Sequence, residues 1–370
     1  MPAHLTELTD LPPAEKERLK QTGLEVDMER RSGSFFQMDQ QVMQALSVSE
    51  GVEVLSLKEA LERHAGLEKY YWKVVPKDKD KFTSFVADQP DPRGFVVIAR
   101  EGSKTTLPLQ ACLFLADAPV QHVHNLVIAE PGAEIHLISG CASASYTKKG
   151  SHIGVTEFYI GEGAQVTSTM IHNWGEQISV FPRSAALVEA GGLFLSNYVC
   201  MQPVRKVEMY PTAYLTGERS TARFSSVVMA TPGSQMDLGS RAILSGKGST
   251  AELITRAITR GGTVISRGHI RGEADHTRGH IECKGLILQD GLIHAIPEIE
   301  GRIMGTELSH EAAVGKIAQD EIEYLMARGL SEDEATATII RGFLDVKIQG
   351  LPLSLQQQID AAIDAAEKGF

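Results

Sequence analysis

The densest group of potential metal and sulfur ligands in this sequence lies between Asp275 and Lys316. It reads D-H-T-R-G-H-I-E-C-K-G, then a strand-like run, then G-T-E-L-S-H-E-A-A-V-G-K. His276, His280, His294 and His310 fall within it, with the thiol of Cys283 and the carboxylates of Glu282, Glu307 and Glu311. Imidazole and thiolate donors in such number suit a transition metal or an iron–sulfur unit better than a hard cation. The same residues also suit a polar border between strands and helices, with hydrogen bonds satisfying the histidines. Ligand density alone leaves both readings open, because no C-x-x-C pair occurs in the chain.

These side chains need a frame, and the chain before them supplies one. From Phe95 onward, short β-branched and apolar runs follow one another, such as F-V-V-I-A, A-C-L-F-L-A and H-N-L-V-I-A. Turns at Glu130-Pro131-Gly132-Ala133, Gly161-Glu162-Gly163-Ala164, Ala190-Gly191-Gly192-Leu193, Thr216-Gly217-Glu218-Arg219 and Gly246-Lys247-Gly248-Ser249 divide them. The turns recur roughly every thirty residues without intervening helices, which predicts a mainly β protein built as a β-solenoid. A sandwich would close sooner. The exposed strand edges of such a coil invite pairing with a second copy or a paralogue.

The flanks read differently. Residues 1–75 are charge-rich and predict helices and loops, with helix starts at Pro12-Pro13 and Leu57, and Tyr70, Tyr71 and Trp72 as a packing plug. Residues 76–304 form the expected solenoid core, and residues 305–370 a helical subdomain. There Ser309 is placed to cap a helix from His310 to about Arg328, with Gly329 as its stop. Ser331 and Glu334 form a capping box for a second helix to about Lys347, and a third is predicted from about Ser354 to Glu367. Apolar residues of the first two, among them Ile322, Ile340 and Leu344, are expected to pack on the solenoid end.

Composition narrows the function. The 370 residues carry a formal charge of −11, which argues against a nucleic-acid surface. No run is long and apolar enough to cross a membrane, and the first residues lack a secretory pattern, so a cytoplasmic protein is expected. Cys112, Cys141, Cys200 and Cys283 are widely separated, which predicts free thiols. They lie near whole multiples of the turn period, so either a stacked ladder of thiols or a chance alignment fits.

Several stretches resemble one family. E-K-Y-Y-W-K-V-V-P-K-D-K-D-K-F, L-I-S-G-C-A-S-A, I-H-N-W, H-I-E-C-K-G-L-I-L and S-H-E-A-A-V-G-K-I…L-M-A-R-G-L-S-E-D-E-A-T-A-T-I-I-R-G-F are similar to the SufB/SufD scaffolds of iron–sulfur cluster assembly. The resemblance runs from about Tyr70 to the end and is greatest to the compact, SmsB-like form of archaea and some anaerobes. It implies a right-handed parallel β-helix, two scaffold subunits paired through their β-helices, and a C-terminal helical domain that docks a SufC-like ABC ATPase.

Carried over residue by residue, Cys283 matches the cysteine that holds the nascent cluster, and His310-Glu311 match the family's His-Glu pair. The glutamate that precedes this pair falls on Ser309, so Glu307 is the candidate substitute. Cys141 matches the proposed sulfur acceptor. In I-H-N-W, Trp174 is kept and His172 replaces a glutamine. Polar residues that the family places in early strands are replaced by the apolar C-L-F-L-A run, so two routes stay open: a sulfur donor feeding an internal path, or free sulfide arriving directly at the cluster site. The resemblance leaves a reduced flavin open as an electron source and implies apo iron–sulfur proteins as recipients.

The residues set further expectations. Lys284 and Arg278 beside Cys283 predict a thiol biased toward thiolate. One thiol cannot complete a cluster, which takes about four ligands, so a seam shared by two chains is expected. A Cys283 thiol closed off inside one chain, far from any twofold axis, would break that arrangement. No G-x-x-x-x-G-K-[ST] occurs, so the chain reads as a non-enzymatic scaffold whose ATP hydrolysis comes from another subunit. Two alternatives remain. One is a SufD-like structural partner without a cluster of its own. The other is a carbohydrate-active β-helix enzyme, which the few aromatics and the helical tail disfavour.

Overall fold

The computed structural model describes residues 10–24 and 31–344. Its body is a β-solenoid of about eight turns whose coils contribute alternately to two sheets. The first sheet runs β2 (Gln41–Ser47), β1 (Gly33–Met38), β5 (Leu109–Leu115), β7 (Glu134–Ser143) and β9 (Gln165–Asn173). It continues through β11 (Leu193–Cys200), β14 (Thr221–Ala230), β16 (Thr250–Thr259), β18 (Arg278–Ile287) and β20 (Glu307–Gly315). The second sheet begins at the same end with β3 (Val52–Ser56), β4 (Phe95–Ala99), β6 (Val120–Ala129), β8 (Gly150–Ile160) and β10 (Ile178–Val188). Beyond them lie β12 (Lys206–Met209) with β13 (Thr212–Leu215), then β15 (Gln235–Leu244), β17 (Thr263–Gly272) and β19 (Leu292–Gly301). All pairings after β4 are parallel, as stacked coils require.

The predicted turns make this coil possible. Gly132, Gly163, Gly191, Arg219 and Gly248 all have positive φ, a conformation that glycine adopts without a Cβ penalty. Their N–H groups link successive coils: Gly132 donates to Glu162 O at 2.8 Å, Gly163 to Ala190 O at 2.8 Å and Gly191 to Glu218 O at 2.8 Å. Strand alternation sends one set of side chains into the lumen, where Phe158, Phe194 and Phe224 follow one another at ring separations of 4.9 and 5.9 Å.

Two expectations about the flanks need correction. The stretch read as helices and loops also holds β1, β2 and β3, which close the first end of the solenoid. The helices predicted there are present as α1 (Pro13–Lys20) and α2 (Leu57–Arg63). At the other end, His310 and Glu311 are not in the first turn of a helix. They belong to β20, which pairs along its length with β18, and helix begins only at α4 (Gln319–Met326) after α3 (Lys81–Ala87). Backbone pairing to β18 outweighs the helix propensity of the Glu-Ala-Ala run.

The capping box is as expected: Ser331 Oγ accepts from Glu334 N at 3.3 Å, and the Glu334 carboxylate accepts from Ser331 N at 2.8 Å. It opens α5 (Glu332–Leu344). Ala337, Ile340 and Leu344 pack against Val199, Val227, Ile258 and Leu286, the outer face of the first sheet. The helical subdomain therefore lies along the flank of the coil, not on its end. Lys347 and the helix expected from Ser354 lie outside the described residues.

Candidate functional site

The parallel register sorts the candidate residues by face. Cys141 pairs with Leu113 above and His172 below. All three point into the lumen. Cys112 pairs instead with Gly140 and packs on the outer side with Leu19 and Leu24, so the thiols do not form a ladder.

Around Cys141 the lumen is sealed and polar. Cys141 and His172 are each 1 % exposed and Trp174 is 2 % exposed. The Tyr198 hydroxyl lies 3.0 Å from His172 Nδ1, while His172 Nε2 and Trp174 Nε1 have no partner. His152 sets its ring 5.1 Å from that of Trp174 and places Nδ1 2.8 Å from Gln121 Oε1, so this nitrogen carries the proton. Cys141, His152, His172, Ser139, Ser168 and Thr156 line an enclosed cavity of about 20 Å³, room for one water-sized molecule. Burial pushes the Cys141 thiol up to about 12 and the His152 imidazole down to about 3, and it lowers His172 well below the ordinary histidine value. Every titratable group in this chamber is neutral near pH 7.

Cys283 lies on the same inner face, on the last strand but one of the first sheet. The column Tyr198, Ser226, Thr255, Cys283 runs down successive strands β11, β14, β16 and β18. The thiol is 3 % exposed and accepts a hydrogen bond from Ser266 Oγ at 3.7 Å. Burial raises its pKa, partly offset by the Ser266 bond and the charge of Arg256. The expected bias toward thiolate is therefore reversed. Lys284 and Arg278 point outward and are engaged by carboxylates: Lys284 with Glu282 and Glu311 at 2.5 and 3.1 Å, Arg278 with Glu307 at 3.0 Å.

Of the other candidates, His310 shares the face of Cys283. It pairs with Ile281, and Ala312 pairs with Cys283, so His310 sits one strand over and two residues back. Strand spacing and rise put the two Cα atoms about 8 Å apart. Glu307 and Glu311 alternate to the opposite, outer face. No three His, Cys, Asp or Glu side chains gather around a common point among the described residues. His280 turns outward to Ser309 Oγ at 2.9 Å, and His276 occupies a positive-φ turn. Both have structural partners.

The terminal coil is the open side of the site. β19 and β20 end their sheets, and β20 is exposed along nearly its whole length. Leu292, Ile303, Met304 and Val314 leave large apolar side chains in solvent on this coil, Met304 at 94 %. Among the described residues, this apolar surface lies beside strand edges that no further strand pairs.

Glu157 is among the buried groups that sequence reasoning missed. Glu157, fully buried, accepts from the backbone N–H of Trp72, Lys73, Val74 and Val75 at 2.6–3.1 Å and meets His124 Nε2 at 2.9 Å. It fastens the Tyr70–Val75 plug to the second sheet. Its only signal in the sequence is an acid in the otherwise apolar V-T-E-F-Y-I run, since its backbone donors lie more than eighty residues away and His124 thirty-three.

The architecture thus belongs to the parallel β-solenoids, with an exposed terminal coil and a helical appendage. Residues 113–343 match the family described as "SUF system FeS cluster assembly, SufBD core domain". An iron–sulfur cluster assembly SufBD family protein of Archaeoglobus fulgidus is 49 % identical over 355 residues, covering 96 % of this chain and 95 % of the relative. A relative from Methanothermobacter thermautotrophicus (strain Winter) is 42 % identical over 98 % of this chain and 90 % of its own length. One from Pyrococcus horikoshii is 30 % identical over 100 % of this chain and 84 % of its own. The chain belongs to the SufBD family of iron–sulfur cluster assembly proteins.

Proposed function

We propose that this chain is the scaffold on which a nascent iron–sulfur cluster is held at a seam between two scaffold subunits, with Cys283 and His310 as inner ligands. Iron and sulfide are cargo here. The observation that carries this reading is the register of β18 and β20, which turns Cys283 and His310 to one face a single strand from the open edge. A second chain meeting that edge doubles the donor set, which one chain cannot complete. Glu311, on the outer face, joins the ligands only after β20 turns over. Until then it holds Lys284.

Closure of the Cys283 thiol inside the chain counts against the seam unless the coil opens, and that opening is the task this reading gives the ATPase. Cys283 is covered by the terminal coil, so cluster assembly requires β20 to lift. The chain passes from β20 directly into α4 and α5. A SufC-like ATPase that closes on those helices would pull on the strand covering the thiol. The sulfur enters as free sulfide at the seam or through Cys141, and a reduced flavin would supply electrons if the sulfur arrives oxidised. The reading places the protein in the cytoplasm with apo iron–sulfur proteins as recipients. No described helix is long and apolar enough to cross a membrane.

Anaerobic reconstitution with ferrous iron and sulfide, followed by absorption and Mössbauer spectroscopy, tests the assignment. Cys283→Ser should lose the cluster signal, while Cys112→Ser keeps it. Equal cluster yield from both variants rules the site out. A second test uses the ATPase partner: alkylation of Cys283 should accelerate with ATP turnover and stay slow with a hydrolysis-dead partner. A chain that purifies only with a paralogous scaffold would favour the SufD-like role.

A further inference from the structure

We propose that Lys79, Arg241 and Tyr210 form a binding site for one phosphate-sized oxyanion on the outer face of the second sheet, away from Cys283 and Cys141. On this face Arg183 is held by Asp80 at 2.5 Å and Glu208 at 2.8 Å, Lys206 also uses Glu208, and Arg267 is bound by both oxygens of Asp237. These carboxylates are fully used. Among the described residues, Lys79 and Arg241 have no carboxylate partner within ion-pair reach, although the chain carries a formal charge of −11. Among the same residues Arg241 Nε is buried with no acceptor. A buried guanidinium N–H without an acceptor is costly, and an arriving anion relieves it.

Lys79 feels the charges of both Arg183 and Arg241. Arg183 and Arg241 stand on β10 and β15, either side of the break between β12 and β13 where Tyr210 lies. Strand alternation turns all three outward. Lys79 precedes Asp80, whose bond to Arg183 draws the 76–80 turn over them. Burial lowers the Lys79 pKa, and the charges of Arg183 and Arg241 lower it further against the opposing charge of Asp80, which is itself bonded to Arg183. Burial and the neighbouring Glu298 push the Tyr210 hydroxyl up to about 12, so it remains a donor. A guanidinium, an ammonium and a phenol suit the several acceptor oxygens of a phosphoryl group better than a single carboxylate. Phe82 and Phe181, stacked at 4.1 Å beside Arg183, offer an aromatic surface should the phosphate belong to a larger molecule.

Thermal unfolding at low, fixed ionic strength tests the site, with inorganic phosphate, adenosine monophosphate or chloride added. Phosphate should raise the midpoint saturably, by mass action on the folded state. Lys79→Gln and Arg241→Gln should each weaken the response at least tenfold, while their midpoints without phosphate hold or rise because a repulsion is removed. Arg241→Glu should pair with Lys79, raise the midpoint and abolish the response. Equal responses to phosphate and the nucleotide identify the free anion as sufficient. A tighter nucleotide response that Phe82→Leu removes identifies a phosphorylated aromatic ligand. No saturable response in the wild type, an equal response to chloride, or full retention in both glutamine variants overturns the proposal.

Discussion

Cys141 and Cys283 face the same lumen but live under different rules. Cys141 sits mid-coil in a chamber where His152, His172, Tyr198 and Trp174 close every approach and no charge survives near neutral pH. Cys283 is equally dark, yet among the described residues a single coil lies beyond it, and that coil carries exposed apolar and acidic side chains along the edge of its sheet. The first thiol is protected by the whole stack. The second is protected by a single strand that continues into helices. In a solenoid each coil is held by its neighbours, so the last coil has half the pairing of an internal one and opens first.

The contrast is broken most severely at the fastening of the first half. Glu157→Ala should destabilise the protein by about 3–5 kcal/mol, since it strands four backbone N–H groups and His124 without an acceptor. Urea denaturation with intrinsic fluorescence checks this, and Trp72 in the released plug should report the change. A loss below about 1 kcal/mol would mean that the Tyr70–Val75 segment is held by packing alone.

Next in size is acid sensitivity. His152 has a folded pKa near 3 against an unfolded value near 6.5, so the unfolded chain binds the extra proton between those limits. The stability contributed by the neutral imidazole is complete above pH 6.5 and falls as the pH drops toward 3. At pH 4.5 the loss from this one residue is roughly 2.7 kcal/mol, and His172 adds to it in the same direction. Denaturant midpoints measured from pH 7 to pH 4.5 should fall steeply in the wild type and less so in His152→Gln. An unchanged slope in that variant would place the acid lability elsewhere.

How much of this could be read in advance follows from the physics of each part. The turn spacing gave away the coil because a solenoid repeats its backbone geometry every rung, and Gly132, Gly163, Gly191 and Gly248 mark the positive-φ positions directly. Period and family resemblance led to Cys283, Cys141, His172 and Trp174, and strand parity then separated His310 from Glu307 and Glu311. The parity was hidden because S-H-E-A-A-V-G carries a helix cap and good helix formers, while its strand state depends on β18, some thirty residues earlier. Burial of Cys283 was invisible for a related reason. Sequence showed Lys284 and Arg278 beside it, but alternation turns both away, and their charges are spent on Glu282, Glu311 and Glu307. Tyr198 and His152 escaped notice because each meets its partner only through register.

The smallest effect on stability is expected at the open end, and there it separates folding from function. Glu311 is more than half exposed and shares Lys284 with Glu282, so Glu311→Gln should change unfolding free energy by no more than about 1 kcal/mol. If Glu311 is drawn into the ligand set when β20 lifts, the same variant should lower cluster yield severalfold in anaerobic reconstitution while leaving the urea midpoint almost unmoved. Glu307→Gln, which loses only the exposed pair with Arg278, is the matched control for an outer-face carboxylate on the same strand. A yield lowered equally by both would point to the general charge of the edge. A yield untouched by Glu311→Gln would leave Cys283 and His310 as the inner ligands and remove the need for β20 to turn over, so that lifting alone exposes the thiol.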